Sequence, residues 1–172
     1  MTLAIDIGNT DAVFGLFDHD ILLHVWRTPA QTEASAVHYE ATLRLWLLEA
    51  DVPLSAVSKT VLCSVVPGLT PILRAMLTEL FGMEPVVVGP AIYPVLPLDI
   101  VSPYEIGGDL VANALAAYTR FGRNCLIVDF GTALTFTTVS ATGKMLGVAI
   151  APGLKTAIRA LFSNTAQLPE VP

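Results

Sequence analysis

Two short strings in this chain hold the residue types needed to bind a phosphate. Asp6-Ile7-Gly8-Asn9-Thr10 stands near the N-terminus, and Asp129-Phe130-Gly131-Thr132 repeats its pattern late in the chain. Each closes an apolar run, so each carboxylate sits at the end of a strand, where it is costly unless paired or close to a cation. The glycine permits close backbone approach or a positive φ, and Asn and Thr add N–H and hydroxyl donors. One copy alone could be a hairpin turn whose polar side chains satisfy its own backbone. The second copy favours two turns that clamp a polyphosphate and its cation. A third group, Gly107-Gly108-Asp109, follows a proline-rich loop. Asp109 there is either an N-terminal helix partner or a carboxylate placed to take the proton of an acceptor hydroxyl.

Strands and turns must position these groups. Thr2–Asp6, Ala12–Phe17 and Ile21–Arg27 read as three successive strands with short turns between them. Ala34–Ala50 has helical spacing, with Val37, Ala41, Leu45 and Leu48 expected on the apolar face and Leu47 beside it. Ser58–Val66 reads as a buried strand, Leu69–Phe81 as a helix ended by Gly82, and Pro85–Val88 as a strand. Ala91–Pro103 reads as a loop, and Glu105–Tyr118 as a helix ended near Gly122. Cys125–Phe130, Ala133–Ser140 and Lys144–Ile150 then repeat the strand series, and Leu154–Phe162 is a further helix. The repeated order of strand, glycine turn, strand, strand and helix predicts two related lobes, over 1–122 and 123–172.

Composition narrows the function classes. Hydrophobic residues make up 53% of the 172 and charged residues 14%, below the usual quarter. Such an apolar chain predicts a buried homo-oligomeric face. The net charge of −6 and scattered basic residues argue against nucleic acid. No apolar run is long enough for a membrane helix, and the N-terminus lacks the features of a signal peptide, so a cytoplasmic protein is expected. Cys63 and Cys125 read as buried free thiols. His19, His24 and His38 share no ligand spacing, and Trp26 and Trp46 read as core or interface. Asn113, one turn after Asp109, lines the site or caps a neighbouring loop. Neither phosphate string is a Gly-Lys-Ser/Thr loop or a Gly-x-Gly-x-x-Gly turn, which sets aside P-loop and dinucleotide-binding folds.

Six strings in order carry a family resemblance. They are Asp6–Thr10, Cys63–Pro67 with Leu69-Thr70-Pro71, Val87–Pro90, Gly107–Asp109, Asp129–Thr132 with Thr135, and Ala151–Leu154. In them the chain resembles the type III pantothenate kinases of the acetate and sugar kinase/Hsp70/actin superfamily. The resemblance implies an α/β fold of duplicated actin-like (ribonuclease H-like) lobes, with mixed sheets flanked by helices. Chains of that family run well past Pro172, so the second lobe is expected to be incomplete. It also implies ATP-dependent phosphorylation of pantothenate to 4′-phosphopantothenate, the first step toward coenzyme A, by a homodimer. Magnesium would accompany ATP, with a monovalent cation, potassium or ammonium.

By position, the resemblance gives the ATP phosphates to Asp6, Ile7, Gly8, Asn9, Thr10, Asp11, Ala12 and Val13, with Thr132 also touching ATP. Asp129 would bind the monovalent cation. Gly107, Gly108, Asp109 and Leu110 would border pantothenate, with Asp109 as catalytic base. Two positions depart from the family pattern: Leu110 stands where an arginine is expected for the pantothenate carboxylate, and Ile100 where a tyrosine is expected. Removing one partner of a buried charge pair typically costs about 2–5 kcal/mol. Two alternatives therefore stay open: an impaired paralogue acting as a nucleotide-binding or regulatory subunit, and a kinase for another small hydroxyl substrate.

Overall fold

The computed structural model describes residues 1–31 and 35–164. The described chain forms two compact units, Met1–Ile92 with Gly107–Asp109, and Tyr93–Ile106 with the residues from Leu110 onward. The expected division after residue 122 falls inside the second unit.

The first unit is built on a five-stranded sheet of β1 (Thr2–Ile7), β2 (Asp11–Asp18), β3 (Ile21–Pro29), β4 (Lys59–Ser64) and β5 (Val86–Val87), in the order β3-β2-β1-β4-β5. β1 runs antiparallel to β2 and parallel to β4, and β4 runs parallel to β5. Period-two alternation sends Leu3, Ile5 and Ile7 of β1 to one face. In register beside Ile5 stand Phe14 of β2 and Leu62 of β4. Helices α1 (Ala36–Glu49) and α2 (Thr70–Phe81) supply Tyr39, Leu43, Leu47, Leu73, Met76 and Leu77 to the same core. Trp26 and Trp46 pack against that core and stack on each other, centroids 5.8 Å apart, as the core or interface reading anticipated. Gly82 ends α2 in the left-handed region at φ 68°, where a Cβ would be strained.

One expected face is corrected. Val37, Ala41, Leu45 and Leu48 are exposed, and α1 instead buries Tyr39, Leu43 and Leu47. The helix is apolar on both sides, so spacing alone offers two stripes. The stripe with Tyr39 reaches the sheet, and the Tyr39 hydroxyl accepts from the backbone N–H of Gln31 at 2.9 Å. The expected start of this helix at Ala34 lies outside the described residues.

The second unit contains the antiparallel sheet β6 (Cys125–Phe130), β7 (Ala133–Val139) and β8 (Met145–Pro152), in that order, followed by α4 (Leu154–Asn164). Its strands repeat the first three of the chain. The helix expected from Glu105 starts at Gly108, giving α3 (Gly108–Phe121), because Glu105 is held in a turn by its N–H bond to the Ser102 carbonyl. The proline-rich segment contains a single helical turn at Tyr93–Val95, with Tyr93 buried, and Asp99 bridges to Lys144 beside β8. Gly143 turns at φ 81° under the Pro97 carbonyl.

Burial separates the two α1 stripes energetically. Leu43→Ala is expected to cost about 2–5 kcal/mol of unfolding free energy. Leu48→Ala, on the exposed stripe, is expected to stay within about 0.5 kcal/mol. Urea titrations of the two variants check the pair.

Candidate functional site

The residues singled out for chemistry fall at strand ends and helix starts. In the first unit, Asp6 is the penultimate residue of β1 and faces away from the apolar core. The chain then turns through Gly8, whose N–H donates to the Asp11 carbonyl at 2.9 Å, and enters β2. Asp6, Asn9 and Thr10 are exposed, while Ile7 and Ala12 are buried and anchor the turn from below. The Asp11 carboxylate pairs with Arg27 of β3 at 2.8 Å. Asp6–Val13 is thus an open turn on two paired strands, with its polar groups toward solvent.

The glycines of the two strings do less than expected. Gly8 and Gly131 are absent from the positive-φ glycines. A methyl group at either would lie no closer than 3.4 Å to its nearest neighbour. Their backbones are therefore uncovered rather than twisted, and each glycine N–H closes its own turn, Gly8 onto the Asp11 carbonyl and Gly131 onto the Ala133 carbonyl.

β4 ends beside β1, and the parallel register sets Cys63 directly next to Asp6. The segment after it is locked in place. The Val65 N–H donates to the Ile7 carbonyl at 3.0 Å, and Ser64 Oγ accepts from the Val66 N–H at 3.2 Å and from the Thr70 hydroxyl at 2.9 Å. Gly107–Asp109 belongs to the same unit and covers Cys63, since a methyl on Gly108 would lie 3.4 Å from its Sγ. A methyl on Gly107 would strike the Asp109 carboxylate oxygen. Burial, above all, and then the Asp6 and Asp109 carboxylates and a hydrogen bond to Asp6 push the Cys63 thiol up to about 12 from its ordinary 9.0. The first unit therefore brings together the Asp6 turn and the Asp109 segment around one buried thiol. As expected, Cys63 is buried and free; Cys125 is free but only half-buried.

The second unit builds its turn differently. Asp129 lies in β6 opposite Thr135, and its Oδ2 accepts from Asn113 Nδ2 of α3 at 3.1 Å. Asn113 therefore fixes a carboxylate, a partner that sequence spacing did not supply. The turn after Phe130 is bound to the start of α4. The Gly153 N–H and the Thr156 hydroxyl donate to the Thr132 carbonyl at 3.0 and 2.9 Å. Leu110, the last of the Gly107–Leu110 string, is buried in α3, 7% exposed. Among the described residues no group of three or more His, Cys, Asp or Glu is placed to hold a metal ion.

Sequence reasoning left two partners unassigned, Cys63 to Asp6 and Asn113 to Asp129. A sign of the first was available: Cys63 stands near the end of a valine-rich strand just as Asp6 stands near the end of its own. The second needed the position of α3 against β6.

Among described residues, no helix is long and apolar enough to cross a membrane. The family model described as type III pantothenate kinase matches residues 2–172. The chain is 41% identical over 172 residues to the type III pantothenate kinase of Moorella thermoacetica, covering 99% of this chain and 67% of that protein. It is 42% identical over 176 residues to that of Treponema pallidum strain Nichols, covering 99% and 64%. The chain thus spans about two thirds of the length of the curated relatives it matches. Among solved structures, the PPX-GPPA enzyme of Aquifex aeolicus aligns with a TM-score of 0.52 at 13% identity, over 99% of this chain and 57% of that one. The activator of the 2-hydroxyisocaproyl-CoA dehydratase of Clostridium difficile aligns with a TM-score of 0.52 at 10% identity, over 88% and 45%. At those identities the likeness is one of fold, and the fold is the expected actin-like one. The chain belongs to the type III pantothenate kinase family, and the expectation of a kinase is borne out.

Proposed function

We propose that this chain carries the phosphate-binding turns and the proton acceptor for ATP-dependent phosphorylation of pantothenate. One observation supports the reading most: the Asp6 turn and the Asp109 carboxylate converge on the same buried Cys63. A nucleotide cradle and a base are thereby held on one rigid sheet end. Asp6, Ile7, Gly8, Asn9, Thr10, Asp11, Ala12 and Val13 form the turn that cradles the ATP phosphates, with the exposed Asn9 and Thr10 at its tip, and Thr132 is assigned as a further ATP contact. Gly107, Gly108 and Leu110 border the acceptor. Asp109 lies in the first turn of α3, where the helix dipole favours negative charge.

The step is a displacement at the γ-phosphorus. The acceptor hydroxyl oxygen bonds to phosphorus, the bond to the bridging oxygen breaks, and Asp109 accepts the hydroxyl proton. ADP and 4′-phosphopantothenate leave. Magnesium travels with the nucleotide. The donor set at Asp129, one exposed carboxylate steadied by Asn113, suits a hard monovalent cation such as potassium or ammonium. Such a cation would supply positive charge at the end of β6. Homodimerisation is supported by apolar side chains left exposed on α1 and β3, among them Leu45, Leu48, Ile21 and Val25. A cytoplasmic setting accords with the small soluble substrates.

A second reading, a kinase for another small alcohol, is favoured by the buried Leu110. It offers no charge to a substrate carboxylate. Assays of pantothenate beside uncharged alcohols separate the two.

Two variants test the assigned chemistry. Asp109→Asn should lower kcat by roughly 10²- to 10⁴-fold, with ATP affinity by calorimetry unchanged. Persistent transfer in that variant would remove Asp109 from the mechanism. Gly107→Ala should leave the melting temperature nearly unchanged, because the clashing atom is a side-chain end that has room to move. It should still lower kcat by displacing the Asp109 carboxylate, as transfer assays alongside thermal melts would show.

A further inference from the structure

Cys63 is the buried nucleophilic group that the proposed reaction does not use. Its surroundings are unusual for a core thiol. On the apolar face of the sheet the β1 and β4 neighbours are Ile5 and Leu62, yet on the opposite face the neighbours at the strand ends are Asp6 and Cys63. Cys63 is only 6% exposed, with the Gly108 backbone close beside its Sγ. Asp6, by contrast, is exposed. A side chain at Asp6 thus has solvent on one side and a sulfur on the other.

We propose that Cys63 is a positioning residue for the nucleotide turn: its thiol donates a hydrogen bond to the Asp6 carboxylate and fixes where that carboxylate stands. The inference rests on the reading of Asp6–Val13 as the phosphate cradle. Three features support it. The parallel register makes the two side chains neighbours on one face of adjacent strands. The thiol also stays protonated across the neutral range, since burial and the two carboxylates oppose its ionisation, so it remains a donor. Finally, the Ser64–Thr70 hydrogen bonds clamp the residues after Cys63, so the sulfur has little freedom to move away. A thiol is a weak donor, but a carboxylate acceptor strengthens the bond.

Three replacements separate donation from packing. Cys63→Ser keeps a donor, Cys63→Val keeps volume without one, and Cys63→Ala removes both. ATP affinity is read by calorimetry, and KM for ATP and kcat by steady-state assay, on the whole protein. The valine and alanine variants should weaken ATP binding by roughly three- to tenfold, the range of one net hydrogen bond. Serine should restore the parent affinity. Parent-like ATP affinity in Cys63→Val, or equal weakening in Cys63→Ser and Cys63→Val, overturns the inference. If the valine variant does not fold, the comparison of alanine with serine decides. Asp6→Asn is run in parallel. If it binds ATP like the parent, the cradle reading fails and the inference with it. If it weakens ATP while the cysteine variants do not, the inference alone fails.

Discussion

The position of every group in the first unit depends on the register of β1 between its two neighbours. A strand presents alternate residues to opposite faces, so a slip of one position would exchange Ile5 and Ile7 for Asp6. That exchange would bury a carboxylate in the core and expose two large apolar side chains. The rows Leu16-Leu3-Thr60 and Phe14-Ile5-Leu62 forbid it, because their Leu3, Leu16, Ile5, Phe14 and Leu62 share one core with the buried residues of α1 and α2. The chemistry of the strand end is therefore a by-product of packing several residues earlier. The core holds the register, and the register aims Asp6.

The second unit solves the same problem with less apolar support. β6 carries Leu126, Val128 and Phe130 in exposed positions, so its carboxylate end is steadied by polar contacts. Asn113 reaches Asp129 from α3, and the Thr132 carbonyl is held twice by the start of α4. In a chain of net charge −6, an anionic ligand meets no broad basic surface. Attraction must come from oriented backbone N–H groups and accompanying cations, which act over short range. Placement of the turns, rather than long-range steering, is then the electrostatic requirement of this protein.

Much of this was legible because the strands alternate cleanly and end in polar turns. The Asp6 and Asp129 strings, the order of elements and the repeat of strands follow from local pattern, and the actin-like topology from the family resemblance of six short strings. The buried face of α1 did not, since Val37, Leu45 and Leu48 are as apolar as Leu43 and Leu47; only the sheet decides between them. The start of α3 was misplaced because Glu105 is as good a helix former as the residues after it, and a turn to Ser102 diverts it. The partners of Asp6 and Asp129 were hidden for a related reason. They lie far away in sequence, and no local signal records which strand or helix arrives beside a carboxylate. Chemistry at strand ends is written locally; the contacts that steady it are tertiary.

The junction of β8 with α4 has a consequence for how this protein tolerates change. Gly153 lies so close beneath the turn after Asp129 that any Cβ would meet the Gly131 and Thr132 carbonyls. The glycines inside the two Asp strings have room for a methyl group, and Gly153 has none. A residue with no side chain and no chemical role is therefore held as firmly as any beside the Asp129 turn. A library of variants across the second unit would show a sharp gap there, at the start of α4.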